Sequence, residues 1–358
     1  MPDFTASSFT PPTGRRSTTG DAALDERVRQ LVCDAGCAQS CELIADMVIT
    51  ALKLGRDQTN TADLKLFSRS FKELRYAGNA FAPYRHVPKV VVFGSARTAA
   101  TEPESLAAET FARRMHQEHG YMTITGGGEG IMGAAQRGAG RENSFGLNIR
   151  LPFEQRANET IHGDAKLINF KYFFTRKLNF LKETHAVALF PGGFGTLDEG
   201  FEVLTLMQTG KARILPVVCV DKPGGRYWET WFRFLREDLL QPGLISADDF
   251  HLFKITHSVD DAIAEIVRFY RTFRSYRWVG QRLVIRLGKS LAPSAVAQLN
   301  LDFADILAGG EIIQTAALPE EHNEPEIAAL PRLVLAPIRK NFGRIRQLID
   351  AINVAETE

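Results

Sequence analysis

Cysteine is scarce in this chain. Four thiols in 358 residues cannot build a disulfide-dense framework, which excludes the small cross-linked scaffolds of the cell exterior and points to a cytoplasmic location. An excess of charge of one sign is also lacking. The formal net charge is +1, so no broad field steers the chain toward nucleic acid or an acidic membrane, and neither is an expected partner. No apolar run approaches the roughly 20 residues of a membrane span. Residues 1–21, rich in Ser, Thr and Pro and without the apolar stretch of a secretory signal, read as a disordered tail. Cys33, Cys37 and Cys41 recur every fourth residue and would form one slanting stripe on a single helix. Metal-binding cysteines are usually spaced Cys-x-x-Cys, so free, partly buried thiols and no metal are expected, with Cys219 far away in an apolar run.

What is present has a clear order. Residues 22–86 carry helical periodicity: Leu43, Ile44, Met47, Val48, Ala51 and Leu52 recur in steps of three and four. Leu54-Gly55 marks a helix end, Leu64 to Ala80 forms a second periodic run, and Pro83 and Pro88 bracket the exit. From Lys89 the period changes. Short apolar runs at 89–93, 121–125, 145–149, 186–190 and 214–220 read as strands. Helical stretches are expected at 105–119, from near Ile131, Tyr172 and Leu197, and at 227–240. Fully apolar strands alternating with helices predict an α/β, Rossmann-like parallel sheet covered on both faces, over residues 87–273. Residues 274–358 predict a small α/β module of order β-α-β-β-α, with an acidic loop at 319–325.

In such sheets ligands bind beyond the carboxyl ends of the strands, and three of those ends are unusual. The first is Phe93-Gly94-Ser95-Ala96-Arg97. A glycine straight after a strand admits a ligand to the backbone, Ser95 offers a hydroxyl, and Arg97 can reach a phosphate or a base edge; a plain tight turn explains the same residues. The second is Thr125 to Gly133, where Gly128-x-Gly130-x-x-Gly133 matches a dinucleotide fingerprint, with Glu154 some twenty residues on. These glycines follow the second strand of the domain rather than the first. That favours a turn whose amides hold another anionic or polar ligand, through residues such as Gly127, Gly128 and Met132, over NAD binding. The third is Pro191-Gly192-Gly193-Phe194-Gly195-Thr196-Leu197-Asp198-Glu199. Three glycines and a threonine at a helix start make a nest of amides suited to a phosphate, while Thr196-x-x-Glu199 also reads as a capping box.

The third stretch reproduces the Pro-Gly-Gly-x-Gly-Thr-x-x-Glu signature of the Lonely Guy (LOG) family, phosphoribohydrolases that activate cytokinins and are often labelled lysine decarboxylases. The second Gly-rich loop and Arg176-Lys177 resemble the same pattern. Phe-Gly-Ser-Ala-Arg and Gln208-Thr209-Gly210-Lys211 are closer to its longer bacterial members than to its short plant-like ones, and the strong resemblance spans 89–220. One departure is Phe173-Phe174-Thr175, where short members carry Met-His-x; it bears on base specificity.

The resemblance implies cleavage of a nucleoside 5′-monophosphate to free base and ribose 5-phosphate, with Glu199 and Arg176 catalytic. Gly192, Gly193, Gly195 and Thr196 would hold the phosphate, and Gly94, Ser95, Arg97, Gly127, Gly128, Met132 and Lys177 would complete substrate binding. The chemistry agrees: a carboxylate beside an oxocarbenium-like centre stabilises its charge or orients water, and an arginine can clamp phosphate or ease charge from the departing base. No metal or organic cofactor is needed. Asp198 and Glu202 read as solvated-face residues. The aromatics Phe170, Tyr172, Phe173, Phe174 and Phe180 read as core or subunit contact, and the family implies at least a homodimer. The competing reading is a non-catalytic binder, because similar folds carry molybdenum cofactor or bind single-stranded DNA; a carrier would have no need of Arg176 with Glu199. The chain has no Ser-x-His-Lys sequence for a pyridoxal-phosphate decarboxylase. The C-terminal module is open to a regulatory, lid or dimerisation role.

Overall fold

The computed structural model describes residues 17–37, 40–151, 156–322 and 324–358. Most of the expected tail and Glu154 lie outside these residues. The chain divides into two compact units, with the boundary between Arg75 and Tyr76.

The first unit is helical: α1 (Ala22–Asp34), α2 (Cys41–Arg56) and the start of α3 (Thr61–Phe81). Val28, Val32, Ala45 and Ile49 form its small buried core. The end of the expected tail is in fact tied down. Asp21 caps α1 by accepting from the Ala23 and Leu24 amides, and buried Asp25 accepts from Thr18 and Thr19. The three cysteines do not share a helix. Gly36, at φ +78°, follows the end of α1, so Cys33 lies in its last turn, Cys37 beyond it and Cys41 at the start of α2. Cys33 and Cys41 face each other across the turn with sulfurs 2.6 Å apart. Among the described residues no cluster of three or more His, Cys, Asp or Glu could hold a metal ion, and no helix is long and apolar enough to cross a membrane.

The second unit is built on a seven-stranded parallel sheet. Its strands are β1 (Lys89–Phe93), β2 (Met122–Thr125), β3 (Ser144–Ile149), β4 (Leu167–Phe170), β5 (Ala186–Leu189), β6 (Val217–Val220) and β7 (Lys254–Thr256). The helices between them are α4 (Pro103–His119), α5 (Ile131–Ala139), α6 (Phe173–Glu183), α7 (Phe194–Gln208) and α8 (Tyr227–Phe234), and α9 (Val259–Phe269) follows β7. Alternation along the strands sorts side chains to two faces. Val91, Phe93, Val187, Leu189, Val217 and Cys219 join one core with Phe180, Val203 and Trp228. Val90, Val92, Ala186, Ala188, Val218 and Val220 join the other with Phe111, Ile131 and Ile263. Both faces are therefore dry, as the unbroken apolar runs predict. Two edge strands escape the sequence reading. β4 and β7 are short, and Asn169 and Lys254 interrupt their apolar character.

The strand order is β4-β3-β2-β1-β5-β6-β7. The chain winds outward from β1 in one direction, then returns to place β5 on its other side, with Phe93 paired to Leu189. The order thus reverses between β1 and β5, the place where doubly wound sheets open a crevice for ligand.

The C-terminal part is a four-stranded antiparallel sheet of order β10-β11-β9-β8, formed by β8 (Phe273–Val279), β9 (Arg282–Leu287), β10 (Ile313–Thr315) and β11 (Arg332–Leu335). With α10 (Pro293–Asp302) and α11 (Phe342–Val354) its order is β-β-α-β-β-α, one strand more than the sequence predicts. The missed strand, β8, carries Arg274, Ser275 and Arg277 among its aromatics, so its composition does not announce burial. The acidic loop carries two buried carboxylates. Glu321 is buried against Arg286 and Arg332, and Glu324 against Arg277 and Arg286. α11 is joined to α9 by the buried Arg346–Glu265 pair at 2.6 Å.

Candidate active site

Three glycine-containing loops leave three neighbouring strands, β2, β1 and β5, on the same edge of the sheet. Ser95 joins them. Its amide donates to the Pro191 oxygen at 3.1 Å and its carbonyl accepts from the Ile131 amide at 3.0 Å. Its hydroxyl accepts from the Arg97 amide at 3.0 Å. The second loop fits under it because Gly130 is at φ +65°, where a Cβ would stand 2.3 Å from the Ser95 oxygen. Buried Asn158 clamps the same loop from behind. Its amide and its Nδ2 donate to the Gly127 oxygen, and Nδ2 also reaches the Gly128 oxygen at 2.9 Å.

The third loop carries the strongest anion-binding feature. α7 starts at Phe194, three residues before the expected position, with Gly193 as a cap that supplies no side chain. The Thr196 and Leu197 amides donate to the Gly193 oxygen, but no hydrogen bond among the described residues occupies the amides of Gly192, Gly193, Phe194 or Gly195. They stand at the positive end of the helix dipole, the geometry of an anion site. The capping-box alternative is displaced: Thr196 lies inside the first turn, and the Glu199 carboxylate faces another helix.

That partner is Arg176 on α6, whose Nη2 lies 3.2 Å from Glu199 Oε1. The guanidinium sits over the rings of Phe173 and Phe180, 4.9 and 5.6 Å from their centroids, and its buried Nε has no hydrogen-bond partner among the described residues. Burial raises the Glu199 carboxyl from its ordinary 4.5 to about 7, against the opposing pull of Arg176 and Lys177. A carboxyl held near neutrality can accept or hold a proton at working pH. Lys177, expected among the substrate-binding residues, is paired with acids of the protein itself. Its Nζ bridges Asp198 at 2.8 Å and Glu202 at 2.9 Å, the two acids flanking Glu199 on α7.

A cavity of about 740 Å³ opens over these groups. Of the residues singled out in the sequence, Gly94, Ser95, Arg97, Met132, Arg176, Gly192, Gly193, Gly195, Thr196 and Glu199 line it. Gly127, Gly128 and Lys177 do not; the first two are turned toward Asn158. The sequence reading missed Gly126, Phe194 and Tyr227 among the lining residues. Phe194 is 94% exposed at the mouth, inside the signature itself. Tyr227 follows β6 after Gly224-Gly225, a fourth glycine-bearing strand end that could have drawn attention to it. Of the aromatics, Phe170 and Phe180 are core and Phe180 also reaches the cavity wall, whereas Phe173 and Phe174 are more than half exposed.

Residues 132–266 match a protein family described as "possible lysine decarboxylase". The comparison with curated proteins gave no match. Among solved structures the chain is similar to the protein TM1055 at 21% identity, over 51% of this chain and 99% of that one, with a TM-score of 0.36. It is also similar to the molybdenum cofactor carrier protein of Chlamydomonas reinhardtii, at 19% over 51% and 97%, TM-score 0.33. A third is the DNA processing protein A of Helicobacter pylori, at 14% over 51% and 80%, TM-score 0.34. Likeness at this level carries neither ligand nor activity across. The matched segment holds Arg176, the third loop and Glu199, so residues 132–266 carry a domain of the family described as possible lysine decarboxylase, the Lonely Guy family.

Proposed function

We propose that this protein hydrolyses the N-glycosidic bond of nucleoside 5′-monophosphates, releasing free base and ribose 5-phosphate. One observation supports this above others: four unoccupied amides at a helix start and a buried Glu–Arg pair line the same cavity. The amides of residues 192–195 and the Thr196 hydroxyl would take the phosphate, which fixes the ribose relative to Glu199. As the bond to the base lengthens, positive charge grows on the ribose, and the Glu199 carboxylate stabilises it or orients the attacking water. Arg176, with an unpaired Nε, would offset charge on the leaving base or brace the phosphate. Arg97 at the cavity wall is placed for a phosphate or a base edge. No cofactor enters this scheme. A cytoplasmic location and at least a homodimer belong to the same reading, with Phe173, Phe174 and Leu178, exposed on α6, as the subunit contact. So does the division into a helical region to 86, a nucleotide-binding domain to 273 and a C-terminal module.

The test is a panel of AMP, GMP, CMP and isopentenyladenosine monophosphate, assayed for ribose 5-phosphate. The expected result is product from at least one member. Binding without product from any member would favour a non-catalytic carrier; neither binding nor product would end the proposal.

A further inference from the structure

Tyr227 stands outside every motif that marks the site, yet it touches the most sensitive part of it. It is the first residue of α8, its ring lines the cavity, and its hydroxyl donates to the Gly192 oxygen at 2.6 Å. The ring is held from behind. Asp221, buried at the end of β6, accepts the first two amides of α8 through Oδ2, from Tyr227 at 2.9 Å and Trp228 at 3.4 Å. Trp228 donates through Nε1 to the Val220 oxygen at 3.2 Å and packs edge-on against Tyr227, centroids 4.8 Å apart. The start of α8 is therefore fixed to the sheet, and Tyr227 with it.

The consequence follows from peptide geometry. There is no cis bond among the described residues, and in a planar trans peptide the carbonyl and the next N–H point in opposite directions. A donor that holds the Gly192 oxygen thereby sets the direction of the Gly193 amide. Were this peptide to rotate, an acceptor would replace a donor in a loop meant to receive an anion. Two successive glycines offer little steric resistance to such a rotation, so the restraint has to come from outside the loop.

We propose that Tyr227 is a positioning residue: its hydroxyl pins the 192–193 peptide so that the Gly193 amide faces the 5′-phosphate of the substrate. The inference rests on the reading of the anion site given above. Its test is calorimetric titration of the full chain and of Tyr227→Phe with ribose 5-phosphate, inorganic phosphate and the parent nucleoside, together with steady-state kinetics on the best monophosphate. Phenylalanine keeps the ring and its packing, so the melting temperature is expected to stay put. Affinity for ribose 5-phosphate is expected to fall about tenfold, the loss of one hydrogen bond at an anion site. KM for the monophosphate rises by the same factor, kcat moves less than about threefold, and nucleoside affinity is unchanged. Equal ribose 5-phosphate affinity in the two proteins would overturn the role of Tyr227 while leaving the site intact. A parallel loss for nucleoside and ribose 5-phosphate would mark a general structural defect and overturn it as well. A wild-type protein that binds neither ribose 5-phosphate nor phosphate would remove the anion site itself, and the role of Tyr227 with it.

Discussion

Glu199→Gln is expected to lower kcat on a nucleoside 5′-monophosphate by about 10²–10⁴-fold, the range lost with a positioned acid–base group, while nucleotide affinity stays within a few fold. Gln keeps the shape and can still accept a hydrogen bond from Arg176, so the loss isolates the carboxylate. Steady-state kinetics and calorimetry on the pair of proteins check both halves. Turnover near the wild-type level in the variant would remove Glu199 from the mechanism. The pH profile supplies a second readout. Where the ionised carboxylate is the working form, wild-type kcat/KM climbs as pH rises through about 7, because burial holds the carboxyl there. The same burial gives a stability signature whose sign is fixed. The folded-state value lies above the unfolded one near 4.5, so the contribution of Glu199 to stability is complete below 4.5 and is lost as pH rises through about 7. The full difference corresponds to roughly 3 kcal/mol. Gln cannot ionise, and above pH 7 the variant should be the more stable protein.

The second large effect is expected from a single methyl group. A Cβ on Gly192 would stand 2.2 Å from Thr196 Oγ1 and 2.9 Å from the Ser95 amide nitrogen, so Gly192→Ala must push the third loop away from the first. A shift of an ångström at a substrate-positioning group costs on the order of 100-fold, and it should appear mainly in KM for the monophosphate. Gly193→Ala is the internal control. Its Cβ would meet nothing within 4 Å, and its backbone is extended, at φ −90°. The expected result is that Gly193→Ala retains most activity and Gly192→Ala does not. Equal behaviour of the two would mean that the contact between the first and third loops does not shape the site.

The contrast between these neighbours shows where sequence stops being informative. The signature at 191–199 makes Gly192, Gly193 and Gly195 look alike, since spacing carries no information about what lies across the crevice. The close approach of Thr196 Oγ1 and of the Ser95 amide distinguishes Gly192. The sheet core was legible because β1, β5 and β6 are buried on both faces and therefore apolar throughout. β8 was not, because Arg274 and Arg277 interrupt its apolar character, and the composition of 319–325 shows an acidic loop without showing that Glu321 and Glu324 pair with buried arginines. The capping-box alternative for Glu199 failed for a related reason. The helix begins at Phe194, which carries the carboxylate past the first turn and toward Arg176, a residue 23 positions away in sequence. Lys177 was assigned to substrate because it adjoins Arg176, but successive helical residues point in different directions, and its ammonium reaches Asp198 and Glu202 instead. Asp221 and the glycine-bearing turn after β6 place Tyr227 locally, but its contact with Gly192, 35 positions away in sequence, is not encoded by that turn.

Diffraction from crystals of the Glu199→Gln protein soaked with its best monophosphate tests the central claim most directly. The account predicts phosphate oxygens within hydrogen-bond distance of the amides of residues 192–195, and the anomeric carbon of the ribose beside residue 199, with Arg176 on its far side or on the phosphate. A nucleotide seated elsewhere, with those four amides turned to partners inside the protein, would contradict it.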